Sequence, residues 1–158
     1  MKNPLKFMWG EILSPLLQRP SRLQVAALCY RNGSAGREVL MVTSRDTGRW
    51  IIPKGWPMRG KDSSEAALVE AWEEAGVRSG QTEDRALGYF SYKKRKRAGW
   101  PQPVKALVYP VEVQEMSDQF PEASERTRKW VSPEEAANLV SEPELKKILQ
   151  DFQVSLRT

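Results

Sequence analysis

Apolar positions fall first into short blocks and then into a helical period. Residues 22–31, RLQVAALCYR, are apolar and β-compatible and predict a strand. The cluster Asn32-Gly33-Ser34-Ala35-Gly36 turns the chain into 38–44, EVLMVTS, which reads as the returning strand of a hairpin. Asp46-Thr47-Gly48 turns it again, and 50–52 form a short strand stopped by Pro53. The stretch 53–61, PKGWPMRGK, carries two glycines and two prolines and predicts a loop of defined shape. A helix follows, with Asp62 as N-cap, Glu65 completing a capping box and Gly76 as the C-terminal stop. Two further strands are expected at 85–93 and 103–114 around a basic turn, and a last one at 126–131, ending in Trp130. Ser132 then caps a helix with Pro133 at its first position, and 143–152 form a terminal helix. Hairpins mixed with crossovers predict an α/β fold with a mixed sheet.

Ahead of the first strand, Leu5, Met8, Trp9, Ile12, Leu13, Leu16 and Leu17 recur at helical spacing. They predict an amphipathic arm over residues 1–20, leaving 21–158 as a single domain. The arm is expected to pack on the domain or on a sister subunit, as in a homodimer; a membrane-surface segment is the second reading. No apolar run approaches the roughly 18 residues of a membrane span.

The helix after Asp62 contains LVEAWEEAGV, residues 68–77, with Glu70, Glu73 and Glu74 at i, i+3 and i+4. At ~100° per residue Glu73 and Glu74 fall within about 60° of Glu70, one on either side. Leu68, Trp72 and Ala75 fall on the opposite side and are expected to face the core, while Ala66 and Ala67 leave the acidic face uncrowded. Like charges at this spacing repel by a few tenths of a kcal/mol. Either the face is solvated, with glutamates serving helix propensity, or a divalent cation reverses the sign of the interaction.

Composition narrows the chemistry. The 158 residues hold 25 Lys plus Arg against 20 Asp plus Glu, a formal charge of +5, which favours anionic partners. There is no histidine and a single cysteine, Cys29. That rules out an imidazole base, a His metal ligand and an intrachain disulfide, and points to hard cations such as Mg²⁺ or Mn²⁺. Cys29 reads as buried and inert, and the cysteine count fits a cytoplasmic protein. The run Lys93-Lys94-Arg95-Lys96-Arg97 in the expected hairpin turn has three readings: a solvated loop, an electrostatic collar for a highly anionic substrate, or a nucleic-acid contact with Tyr92 or Trp100 for stacking.

The spacing of Gly55, Glu70, Glu73, Glu74, Gly76 and Val77 resembles the Nudix hydrolase signature, G-x5-E-x7-R-E-U-x-E-E-x-G-U. The lead-in WIIPKGW (50–56) and the order of elements over 22–152 are similar too. The stretches CYRNGSAGREVLMVTSR (29–45) and GRWIIPKG (48–55) resemble the diphosphoinositol polyphosphate and dinucleoside polyphosphate hydrolase branch. The resemblance implies a Nudix-type α/β/α sandwich with a central mixed β-sheet. It implies cleavage of a pyrophosphate bond in an anionic, polyphosphorylated small molecule with Mg²⁺, Mn²⁺ substituting. Glu70, Glu73 and Glu74 would be the catalytic metal-binding carboxylates, joined by the Gly55 carbonyl. Ser44 and Arg45 match the pair that contacts substrate phosphates in that branch. Lys54, Trp56, Lys93, Lys94 and Arg95 complete the expected substrate-binding set, and the base would be a helix glutamate or Glu112, Glu122 or Glu125. Two positions depart from the signature: Lys61 stands for its first glutamate and Val69 for its arginine. In the family both positions belong to the network that supports the catalytic carboxylate, so either another residue orients Glu70 or activity is reduced. The competing reading is a non-catalytic Nudix-fold module that binds nucleotide or RNA.

Overall fold

Strand β1 (Arg22–Gly33) is buried on both faces, which is why its apolar run is nearly unbroken. In the computed structural model, which describes residues 21–94 and 99–154, alternate β1 side chains enter two separate cores. Val25, Ala27 and Cys29 enter one, Ala26 and Leu28 the other. β1 runs parallel to β7 (Gln102–Met116), from Arg22 opposite Val104 to Tyr30 opposite Glu112. Among the described residues every other pairing is antiparallel. β2 (Gly36–Thr43) returns from β1 through the expected hairpin and pairs onward with β3 (Trp50–Ile51) and β8 (Arg128–Val131). β7 carries β6 (Gly88–Lys94) on its first half and β5 (Val77–Thr82) on its second.

Helix α1 (Ser63–Ala75) closes one face of this mixed sheet. Helices α2 (Pro133–Leu139) and α3 (Pro143–Val154) close the other, giving the expected α/β/α sandwich. The capping box at Asp62 and Glu65 forms, and Gly76 ends α1 with φ +75°, against the Ser117 carbonyl, where a side chain would collide.

One edge of β1 has two partners. Near its end it pairs with β2, but at Val25 and Ala26 it pairs with β4 (Lys54–Gly55). The Ala27 N–H donates to the Pro53 carbonyl at 2.9 Å, so the loop 53–55 is stitched into the sheet under α1.

Three expectations change. Of the expected inward residues Leu68, Trp72 and Ala75, only Ala75 faces the core. The inward face of α1 is Ala66, Ala67, Ala71 and Ala75, flanked by buried Glu70 and Glu74. Leu68 sits at the margin of that core, and Trp72 is half-buried outside both clusters. The helix lies so close to the sheet that its seam is filled by alanines, and the large side chains move to the rim. The second change is β5, which carried no period-2 signal because its register shifts twice at Val77–Gly80. The third is β4, two residues long and held by tertiary pairing alone. The arm 1–20, and with it the expected dimer contact, lies outside the described residues. Among the described residues, no helix is long and apolar enough to cross a membrane.

The alanine seam leads to a test. Ala71 has 0% exposure, and Ala71→Leu adds methylenes where helix meets sheet. Chemical denaturation is expected to show a loss of about 1–3 kcal/mol.

Candidate active site

Glu70 and Glu74 lie one turn apart on α1 and project into the seam beside β4. Gly55 sits directly against the Glu70 carboxylate: a Cβ there would overlap its carbon and both oxygens. The neighbouring Lys54 N–H donates to Glu74 Oε2 at 2.9 Å. The loop therefore needs glycine at 55 for space, and a free N–H at 54 to satisfy a buried acid.

The second oxygen of Glu74 accepts from Arg126 Nη2 at 3.0 Å. Arg126 also reaches Glu122 Oε1 at 3.3 Å, and its Nη1 donates to the Thr43 carbonyl at 2.9 Å. Burial raises the Glu74 pKa above its ordinary value, against the pull of Arg126 and of the Lys54 N–H. Glu70 is different. Among the described residues no hydrogen bond or ion pair holds its carboxylate. Burial first, then Glu74, Glu73 and Glu122, push its pKa from 4.5 to about 7, with Arg126 opposing. Glu73 is half-buried and completes the acidic group.

These carboxylates line a cleft of about 970 Å³ that also carries most of the chain's candidate substrate residues. Ser44, Arg45, Lys54, Trp56, Lys93 and Lys94 all line it, as do Gly55 and Arg49. Arg95 lies outside the described residues. Ser44 spends its hydroxyl on the β2–β3 turn, bonding Thr47 Oγ1 at 2.7 Å and accepting from the Arg49 N–H at 3.2 Å. Arg45 pairs with Glu122 at 3.2 Å and with Glu125 at 3.5 Å. Arg49 reaches Ser141 at 3.0 Å and Glu142 at 3.7 Å. Lys54 lies 5.0 Å from the Tyr92 ring centroid, and burial lowers its pKa below 10.5, against the pull of Glu74 and Glu142. Arg22 and Lys94 both lie over Trp56, at 4.3 and 5.0 Å. Of the three later carboxylates, Glu122 lines the cleft; Glu112 and Glu125 do not. Cys29 is buried beneath, its thiol pushed up to about 12, as expected of an inert residue.

The NUDIX domain family matches residues 22–152. The chain belongs to that family. It is 33% identical over 135 residues to Nudix hydrolase 21, chloroplastic, of Arabidopsis thaliana, covering 83% of this chain and 66% of the relative. It is 29% identical over 119 residues to diphosphoinositol polyphosphate phosphohydrolase 2 of Homo sapiens, covering 74% and 61%. The chain spans about half to two thirds of the length of the curated relatives it matches first. Among solved structures, Caenorhabditis elegans Ap4A hydrolase aligns with a TM-score of 0.61 at 22% identity, over 87% of this chain and 99% of that one. A Nudix hydrolase from Nitrosomonas europaea aligns with a TM-score of 0.65 at 16% identity, over 87% and 91%. At such identities the structural likeness speaks for the Nudix fold alone.

Within the Nudix signature, Lys61 is exposed and Val69 half-buried, and neither side chain bonds a signature glutamate. The guanidinium that pairs with a signature glutamate is that of Arg126, which sequence reasoning missed. A signal was present. In a strand over 126–131 the alternation puts Arg126, Arg128 and Trp130 on one face. That face meets α1: Arg128 donates to the Ala75 carbonyl at 2.7 Å, and Trp130 packs on the α1 core.

The Glu70 environment sets a pH dependence. Its folded pKa of about 7 exceeds the ordinary 4.5, so between these values the folded state holds a proton that the unfolded state has lost. In metal-free protein this acid therefore costs stability as pH rises from 4.5 to 7, and the full cost stands above 7. Glu70→Gln is expected to raise the melting temperature at pH 8 clearly more than at pH 5, read by thermal denaturation in chelator.

Proposed function

We propose that this Nudix chain is a divalent-cation-dependent pyrophosphohydrolase acting on a polyphosphorylated small molecule. The observation that carries the reading is the composition of one cleft. Glu70, Glu73 and Glu74 share it with Arg45, Arg49, Lys54, Lys93 and Lys94. Acids alone would repel a polyphosphate, and cations alone would bind it without a place for metal; this cleft offers both.

The donor set suits a hard cation. Carboxylates and a carbonyl are the oxygen ligands Mg²⁺ and Mn²⁺ take. Glu70 supports the fit: it is buried beside three other acids, has no partner among the described residues, and is pushed up to about 7 by burial and those acids. A cation would return it to its anionic form. Among the described residues no three acids are already drawn into a cation cage, so binding requires the side chains of Glu70 and Glu73, which are not hydrogen-bonded there, to rotate. Glu70, Glu73 and Glu74, with the Gly55 carbonyl, would hold the ion. When bound, it would neutralise phosphate oxygens and stabilise the leaving phosphate.

The chain's own residues do the rest. Arg45, Lys54, Lys93 and Lys94 bind the phosphates and orient the scissile anhydride. Water adds to phosphorus, the P–O anhydride bond breaks, and the water proton passes to a cleft carboxylate, for which Glu70, Glu73 and Glu122 are placed. The relatives support the substrate class. One is named a diphosphoinositol polyphosphate phosphohydrolase, and one structural neighbour an Ap4A hydrolase.

The test is product release from a panel of diphosphoinositol polyphosphates, dinucleoside polyphosphates and nucleoside diphosphate derivatives, with Mg²⁺ or Mn²⁺. Metal-dependent release is expected, falling by orders of magnitude in Glu73→Gln. Absence of release from every substrate, with binding intact, would show a module that only binds. Gly55→Ala gives a second check. The collision is with the end of a flexible side chain, so the fold is expected to survive with little change in melting temperature. Turnover is expected to fall about 10- to 100-fold as Glu70 is displaced.

A further inference from the structure

Arg126 lines the cleft, but its guanidinium is turned to other residues of the chain. Its side chain is 5% exposed, and Glu74, to which it pairs, is 9% exposed. It spends its two Nη groups on Glu74, Glu122 and the Thr43 carbonyl. Its Nε is buried with no hydrogen-bond partner. A buried orphan donor costs stability. The guanidinium is thus placed to suit the two carboxylates at the expense of its own full satisfaction.

Its surroundings fix it there. The Glu122 N–H donates to the Glu73 carbonyl at 3.0 Å, and the Ser117 N–H to the Gly76 carbonyl at 2.8 Å. Arg128 holds the Ala75 carbonyl and Asp118. The segment ahead of β8 is therefore stapled to the C-terminal turns of α1, so Arg126 arrives at Glu74 with little freedom left to lose. Glu74 in turn is held at both oxygens, by Arg126 and by the Lys54 N–H next to Gly55.

We propose that Arg126 is the positioning residue of this site. It replaces, from a distant loop, the support that Lys61 and Val69 no longer give, and fixes Glu74 in the geometry that binds the metal ion. The inference rests on the cation-dependent reading above, but it concerns metal affinity and is tested without turnover. A planar guanidinium suits the task because it can serve two carboxylates and a carbonyl together, which an ammonium cannot do with the same geometry.

The experiment measures Mn²⁺ affinity of the full chain by electron paramagnetic resonance and calorimetry. The variants are Arg126→Leu, Arg126→Lys, Glu74→Gln and the double variant Glu74→Gln with Arg126→Leu, each with a metal-free melting curve. Arg126→Leu is expected to weaken Mn²⁺ about 10- to 100-fold. In the Glu74→Gln background the same change is expected to add less than about twofold, because its path to the metal has gone. Losses that multiply in the double variant would overturn the inference, as would unchanged Mn²⁺ affinity in a folded Arg126→Leu. If that variant does not fold, Arg126→Lys carries the test. An unaltered melting curve with Mn²⁺ weakened about fivefold or more supports positioning, and unaltered affinity overturns it. A wild-type chain that binds Mn²⁺ but turns nothing over would remove the hydrolase reading and leave this one standing. A wild type that binds no Mn²⁺ would remove this one.

Discussion

Much of this structure follows from burying two carboxylates where a helix meets a sheet. A desolvated acid must be hydrogen-bonded, paired or protonated. Glu74 takes the first two routes, through the Lys54 N–H and Arg126. Glu70 has neither among the described residues, and burial together with the neighbouring acids pushes its pKa up to about 7. The alanines at 66, 67, 71 and 75 bring α1 close enough for these contacts, and glycine at 55 keeps the backbone clear of Glu70. β4 takes the part of the β1 edge that β2 leaves unpaired, and there the Lys54 N–H meets Glu74. The alanine seam, the two-residue strand and the glycine are one solution to one electrostatic problem.

The cations of the cleft are restrained in the same manner. Lys54 lies over Tyr92, and Lys94 and Arg22 over Trp56. Arg45 and Arg49 lean on carboxylates. Each restraint reduces the entropy a long side chain loses on gripping a ligand. The pairs with Glu122, Glu125 and Glu142 are partly exposed and individually weak, so a densely anionic ligand can outcompete them. The cleft therefore presents positive charge that is ordered yet available. That suits a small, densely anionic molecule better than a broad and uncharged one.

The sequence made the framework legible where the signal was local. The β1–β2 hairpin, the cap at Asp62, the stop at Gly76 and the Ser132-Pro133 start all follow from chemistry within a few residues. The Gly55, Glu70, Glu73 and Glu74 spacing was legible for the same reason, since three members lie within two turns of one helix. Elements made by distant partners were not. β5 lost its alternation to two register shifts, and β4 has too few residues for any pattern. The helical wheel misplaced Trp72 because it ranks residues by hydrophobicity, whereas the seam selects for size. A wheel also treats glutamate as solvent-facing, which fails where another element supplies a guanidinium and an N–H.

Arg126 carries that last point further. A signature records which residues stand at fixed spacing on a loop and a helix, and at Lys61 and Val69 it registers a loss. The chemistry asks only that a guanidinium lie within about 3 Å of a carboxylate, by whatever path through the chain. Here the path runs from the loop ahead of β8, where Arg126 and Arg128 alternate onto the face that meets α1. Two departures that read as erosion when counted along the helix are therefore compatible with an intact set of charges when counted in space. The support of the acidic cluster has moved from sequence neighbours to tertiary ones. It now depends on the 117–128 segment staying fixed to the end of α1, through the Gly76 and Glu73 carbonyls.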